Sequence, residues 1–423
     1  MSVYSSGNEA GYRNQQGGSM SKTIVLAGAL DTKSADYRFV KELIEDRGHE
    51  TVVVDFGILG DAAFSPTISN DEVARAGGSS IAGLRTAKDK TEAMRVMTAG
   101  LQVVIRSLYD EGRLDGILAM AGSGGTAIAT AAMRTLPVGV PKLMVSTVAA
   151  GDVAPYVGTV DITMMPSVVD VSGLNRLSRR IYANAAGAIC GMVEAEAPAV
   201  AADRPLIAAS MFGNTTEAVN RAQATMEQAG YEVLVFHATG TGGRTMESLI
   251  SGGFITGVLD ITTTELADHV CGGALSAGPE RMLAAARAGV PAVLAPGCVD
   301  MANFWARATV PNKYQSRNLY EWNPNVTLMR TDVDENRQMG EMIAAAANAS
   351  SGPVAILLPL QGVSQLDSPG GQFWDPAADA ACYDAIKANL KPGIPVYEID
   401  CNINDPAFAD KATELLQEML GRA

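Results

Sequence analysis

The feature that most restricts the fold is a repeating alternation: short, β-branched apolar runs give way to longer amphipathic stretches. That rhythm is the signature of βα units, and so of a parallel sheet with helices on its faces. "KTIVLAG" (22–28) reads as a strand and "SADYRFVKELIEDRG" (34–48) as a helix, with Ser34 as N-cap and Gly48 just past its end. "ETVVVDFG" (50–57) is the next strand, a loop-rich insert runs through Ser80, and "KTEAMRVMTAGLQVVIRSLYDEG" (90–112) is a long helix. Further strands fall at 114–122, 142–147 and 159–166. After the Ala/Pro-rich "VEAEAPAVAADRP" (193–205) the alternation restarts. Strands are predicted at 206–213, 231–240, 256–263, 291–297, 353–362 and 395–400, and helices at 215–229, 244–251 and around 279–288. The expected architecture is α/β, with two Rossmann-like doubly wound domains over 20–200 and 201–423, mainly parallel sheets and a ligand cleft between them. Residues 1–19 are polar and rich in Gly, Ser, Asn and Gln, and are expected to be a disordered or tag-like segment outside the fold.

Composition narrows the function classes. The chain has 423 residues, 47% hydrophobic and 18% charged, enough to bury a core in each half. A net charge of -14 argues against nucleic acid as a partner, because phosphate backbones are held by clustered Lys and Arg. Any phosphate bound here is expected to meet backbone N–H groups and a few placed cations. The five cysteines are scattered and form no C-x-x-C pair, which fits a reducing, cytoplasmic setting. No long apolar run predicts a membrane span, and no signal peptide is expected.

Ligands of parallel α/β sheets sit at the carboxyl ends of strands, where helix N-termini offer free N–H groups. "MAGSGGTAIAT" (120–130) lies in that position: Gly122, Gly124 and Gly125 allow close backbone approach to an anion, with Ser123 and Thr126 as hydroxyl donors. The competing reading is a plain strand-to-helix turn, since neither G-x-G-x-x-G nor the P-loop pattern is met. "GALDTK" (28–33) follows the first strand and places Gly28, Asp31, Thr32 and Lys33 at a neighbouring strand end. Lys33 could neutralise a phosphate and Asp31 could hold Mg²⁺ or a ribose hydroxyl, or Asp31 and Thr32 could merely cap a helix. Asp55 ends the second strand where a ribose-binding acid often sits, and Ser146 and Thr147 end another.

The second half carries denser polar clusters. "HATGTGGRTME" (237–247) joins His237, Thr239, Thr241 and Arg244 to Gly240, Gly242 and Gly243. "LDITTTELADHV" (259–270) adds Asp260 and Glu265, with His269 four residues beyond Glu265 on one helix face, and "APGCVDMANFW" (295–305) adds Asp300 and Asn303. His237, Glu265, Arg244 and Asp260 are the candidate catalytic groups, with acid/base roles for His237 or Glu265 and an anion role for Arg244. Thr239, Gly240, Thr241, Gly242, Gly243, Asp300 and Asn303 are candidate substrate contacts; a surface ion pair or cap is the simpler reading of Glu265 and His269. No nucleophile elbow occurs, and no metal ligand set can be assigned.

Taken together, "LAGALDTK", "MAGSGGT", "VSTVAAGDV", "VFHATGTGGRTMESLI", "LDITTTELAD", "SAGPERM", "APGCVDMANF" and "NINDPAFA" resemble an uncharacterised bacterial family similar to the N-terminal domain of the tomato mosaic virus resistance protein, an ATP-binding inhibitor of viral RNA replication. The resemblance runs from Met20 onward. It implies two Rossmann-like subdomains, ATP as ligand and a homodimer or higher homo-oligomer, without implying antiviral activity here. The expected function is nucleotide binding at the glycine-rich loops; the alternative is a metabolic hydrolase, lyase or ligase acting on a small carboxylated or phosphorylated metabolite.

Overall fold

The computed structural model describes residues 21–196 and 204–421; the expected N-terminal segment 1–19 and the middle of the predicted boundary stretch lie outside the described residues. The chain divides into two compact units, Met1–Pro198 and Ala199–Ala423.

Unit 1 runs β1 (Thr23–Gly28), α1 (Leu30–Glu45), β2 (Glu50–Asp55), α2 (Asn70–Ala76), α3 (Ile81–Ala87), α4 (Lys90–Asp110), β3 (Gly116–Ala121), α5 (Ser123–Met133), β4 (Lys142–Ser146), α6 (Ala154–Val157), β5 (Thr163–Pro166) and α7 (Arg176–Glu194). Its sheet is wholly parallel in the order β2-β1-β3-β4-β5. The strands succeed because both faces are covered. Ile24, Leu26, Leu118, Met120, Leu143 and Val145 pack under α1 and α7, while Val25, Ala27, Ile117, Ala119 and Met144 pack under α2 to α5. One strand register thus feeds two cores, as the period of two requires. Tyr37 of α1 ties β1 to β3: its hydroxyl donates to Ala27 O (2.7 Å) and accepts from Met120 N (2.7 Å).

Unit 2 runs β6 (Leu206–Met211), α8 (Thr216–Gln228), β7 (Glu232–His237), α9 (Thr241–Ser251), β8 (Ile255–Thr262), α10 (Thr264–Cys271), α11 (Leu283–Ala288), β9 (Ala292–Gly297), β10 (Met301–Phe304), β11 (Leu319–Asn323), β12 (Val326–Arg330), α12 (Val333–Asn348), β13 (Val354–Pro359), α13 (Pro376–Asn389), β14 (Val396–Ile399) and α14 (Pro406–Leu420). A second parallel sheet has the order β14-β13-β9-β8-β6-β7, covered by α8 and α14 on one face and by α9 to α13 on the other. The α/β class and the two mainly parallel, Rossmann-like sheets are those expected. A small antiparallel sheet, β10-β12-β11, was not anticipated.

Local boundaries differ from the sequence reading where tertiary partners supply the caps. The first helix begins at Leu30 rather than after Ser34, because the Asp55 carboxylate reaches across to accept from Leu30 N at 3.0 Å. Ser34 instead donates to Leu30 O inside the helix, and Lys33 marks a break there (φ -126°, ψ 16°). The helix predicted from 244 begins at Thr241, and the loop-rich insert contains α2. No described helix is long and apolar enough to cross a membrane.

Candidate functional site

In unit 1 the connection after β1 leads to β2 on one side and that after β3 to β4 on the other, so the chain leaves these two neighbouring strand ends in opposite directions. This is the switch point at which open α/β sheets bind ligands. A cavity of about 640 Å³ opens there, inside the usual range for small-molecule sites. Asp31 and Thr32 come from the start of α1, Gly124 and Gly125 from the start of α5, and Phe56, Ile58 and Leu59 from the loop after β2. Leu84, Met94 and Ile128 complete apolar walls, and Arg85, Lys88 and Lys90 bring positive charge.

Each of these residues is held by local physics. Ser80 caps α3 and Asp89 caps α4, accepting from Thr91 N (2.9 Å) and Glu92 N (3.1 Å). Between those helices Lys88 is in the left-handed region (φ 54°, ψ 22°), unusual for a side chain with a Cβ. Arg85 is fixed by Ile58 O (2.7 Å), Gly60 O and Asp61 (3.0 Å), whereas Lys88 and Lys90 form no ion pair among the described residues. Asp31 Oδ2 accepts from Leu59 N at 2.7 Å, but its buried Oδ1 has no hydrogen-bond partner. No side chain among the described residues caps α5, so its first-turn N–H groups are left without a side-chain acceptor there.

The other expected nucleotide contacts have internal duties. A Cβ on Gly28 would lie 2.1 Å from the Tyr37 ring, and one on Gly125 2.6 Å from Ala121 Cβ, so both glycines permit packing. Around Gly122 and Gly124 there is space: the nearest atoms to an added Cβ are Thr147 Oγ1 at 3.9 Å and Met94 Cε at 3.8 Å. Thr126 and Ser146 hydroxyls pair with each other at 2.7 Å in the core, while Ser123 and Thr147 are exposed. Asp55 is buried and accepts from Leu30 N and Gly57 N; burial raises its pKa despite those bonds. Lys33 does not line the cavity.

In unit 2 the glycine turn after β7 already holds an anion, and it is the protein's own. Glu265 Oε1 accepts from Gly240 N (2.6 Å) and Gly243 N (3.1 Å), the position a bound phosphate would take at the start of α9. A Cβ on Gly243 would lie 2.1 Å from Glu265 Oε2, and one on Gly242 1.9 Å from His237 O. Gly240 has φ +80°, a conformation suited to glycine. Glu265 Oε2 in turn accepts from Arg281 Nε at 2.6 Å, while both Asp260 oxygens take the guanidinium's two remaining nitrogens and Glu247 adds a bond at 3.1 Å. Burial alone would lower the Arg281 pKa, but Asp260, Glu265 and Glu247 together hold it well above its usual value. Asp260 and Glu265 are therefore engaged throughout, and Arg281 is the residue that sequence reasoning passed over. His269 is exposed while Glu265 is buried, so the two do not form a pair.

The remaining unit 2 candidates scatter. Arg244 donates to Ser276 O (3.0 Å) and Thr241 Oγ1 (3.4 Å), and Thr239 to His237 O (3.2 Å). Asn303 is bound to Asp268 through its backbone N (2.8 Å) and Nδ2 (2.7 Å); burial still pushes the Asp268 carboxyl up to about 7. Asp300 is fully buried, with Oδ2 on Ser364 Oγ at 2.9 Å and Oδ1 unpartnered. His237 stands apart: its ring forms no hydrogen bond or ion pair among the described residues and meets Phe212 edge-on at 5.4 Å. Among the described residues no group of three or more His, Cys, Asp or Glu is placed to hold a metal ion.

Fold and cavity together define a two-unit α/β protein with a cavity of small-molecule size at the switch point of its first sheet. The chain belongs to the Uncharacterised protein family (UPF0261), whose N-terminal domain matches residues 22–198 and whose C-terminal domain matches residues 204–420. A UPF0261 protein of Clostridium tetani is 48% identical over 95% of this chain and 100% of its own length. The ToMV resistance protein Tm-1(GCR237) of Solanum lycopersicum is 40% identical over 77% of this chain, which spans 44% of the plant protein. Among solved structures, a UDP-N-acetylglucosamine 2-epimerase from Rickettsia bellii aligns over 64% of this chain and 78% of its own at 10% identity, with a TM-score of 0.23.

Proposed function

We propose that the chain binds a nucleoside triphosphate, ATP, in the unit 1 cavity. The observation that carries this reading is the joining, at one switch point, of an uncapped helix N-terminus, two unpaired lysines and a wide apolar wall. Phe56, Ile58, Leu84, Met94 and Ile128 suit the base, which is desolvated on binding. The N–H groups of Ser123, Gly124 and Gly125 suit a phosphate, with Lys88 and Lys90 neutralising the outer charge. Asp31 lines the cavity, and its carboxylate suits a ribose hydroxyl or Mg²⁺. A Mg²⁺ ion here would complete its oxygen shell with phosphate and water, since the described residues offer no cluster of their own.

Equilibrium ATP binding tests the reading. Gly124→Val, which places a branched side chain in the cavity, and a Lys88→Ala/Lys90→Ala double variant are each expected to weaken binding at least about tenfold. Lys33→Ala is expected to leave it unchanged, and rising salt to weaken it. Unchanged affinity in both weakening variants would overturn the assignment. The metabolic-enzyme alternative draws less support, because Glu265 and Asp260 are spent on Arg281; of its proposed acid/base groups only His237 has an unengaged ring.

A further inference from the structure

Unit 2 has its own switch point, where the chain leaves β6 for β7 on one side and β8 on the other. At the carboxyl end of β6 lies a cavity of about 150 Å³, lined by Phe212, Gly213 and Asn214 after β6, His237 at the end of β7, and Trp322, Val326 and Leu328 from the antiparallel sheet. We propose that this cavity is a binding site for a small, uncharged molecule built on a single aromatic ring that carries a hydroxyl or amino donor. The proposal does not depend on nucleotide binding in unit 1.

Four observations set the ligand's chemistry. Size comes first: a cavity of about 150 Å³ lined by apolar side chains holds one benzene-sized molecule and is too small for a nucleotide. The walls come next. Phe212 and His237 already meet edge to face (5.4 Å, 67°), and Trp322, 46% exposed, offers a third ring at the rim. Aromatic side chains favour such tilted and offset neighbours, which a flat ring supplies and a saturated one does not.

Charge is the third. Among the described residues no Lys or Arg lines the cavity, so a carboxylate or phosphate would be desolvated there without a counter-ion in the wall. The fourth is an unpaired ring. His237 lines the cavity, is exposed, and its imidazole has no hydrogen-bond or ion-pair partner among the described residues. A ring nitrogen is therefore open to accept from a hydroxyl or amino donor on the ligand.

Phenol is the probe, titrated against the full chain by saturation-transfer NMR. Saturable binding is expected, weakened about tenfold for toluene, which has the ring without the donor, and for cyclohexanol, which has the donor without the ring. Trp322→Ala removes a half-exposed wall and is expected to weaken phenol by at least about tenfold; Val326→Trp fills the cavity and is expected to abolish binding. Unfolding midpoints close to that of the parent chain would show that both variants fold, and a variant that does not is replaced by Leu328→Phe. No saturable phenol binding up to about 10 mM, or equal binding in both folded variants, would overturn the site. Equal affinity for phenol and toluene would overturn the His237 contact, and tighter binding of benzoate than of phenol would overturn the uncharged ligand.

Discussion

Arg281 Nε lies 2.6 Å from Glu265 Oε2 with both side chains fully buried, and the other oxygen of that carboxylate closes the glycine turn that begins α9. One acid therefore serves an ion pair and a helix N-terminus together. A turn that reads as an anion site in the sequence is an anion site in the structure, occupied from within.

Removing the cation should expose that arrangement. Arg281→Leu leaves Asp260, Glu265 and Glu247 facing one another in a buried space, and the loss of one partner from a buried ion cluster costs about 3–5 kcal/mol. Arg281→Lys is expected to recover only part of this, since an ammonium cannot grip both Asp260 oxygens while reaching Glu265. Urea unfolding measures both. A loss below about 1 kcal/mol for the leucine variant would contradict the structural role.

The glycines at the start of α5 should separate by function. A Cβ at position 125 would meet Ala121 Cβ at 2.6 Å between helix and strand, so Gly125→Ala is expected to cost about 1–3 kcal/mol through overpacking. At Gly124 the nearest atom is 3.8 Å away, so Gly124→Ala should leave stability unchanged or raise it by up to about 1 kcal/mol, the helix preference of alanine over glycine. Thermal unfolding of the pair checks this, and equal destabilisation would refute the distinction.

These residues also show what the sequence made legible. The central strands of both parallel sheets are readable because each is a short apolar run buried on both faces, and the placing of Asp31, Thr32, Gly124 and Gly125 at a cavity is readable because they follow strand ends. Arg85, Lys88 and Lys90 were not: Arg85 and Lys88 come from the short helix α3 and its end, after the predicted insert, and Lys90 is the first residue of the predicted long helix, so only the fold brings them to the cavity. Arg281 was not, because its partners lie 16, 21 and 34 positions away and only the fold brings them together. The antiparallel sheet escaped for a related reason: β11 is largely exposed, so no apolar alternation marks it. Its Trp322 nonetheless walls the unit 2 cavity.

Acids buried near Arg330 should make the protein more stable on the acidic side of neutrality. Burial, then the charge of Asp367, push the Asp300 carboxyl up to about 7 and the Asp379 carboxyl up to about 8, with Arg330 opposing. Both groups hold a proton more tightly folded than unfolded. Their contribution is therefore fully present below pH about 4, the unfolded carboxylate range, and is lost as pH rises through 7 to 8. Each group adds a slope of at most about -1.4 kcal/mol per pH unit inside that window. Asp300→Asn keeps the shape of the protonated acid without its ionisation. Compared with the parent chain by urea unfolding at fixed pH, it should gain stability progressively from pH 5 to about pH 7, level off above about pH 8, and show its smallest difference at the acidic end. A difference that does not change with pH would mean that Asp300 does not titrate across that range.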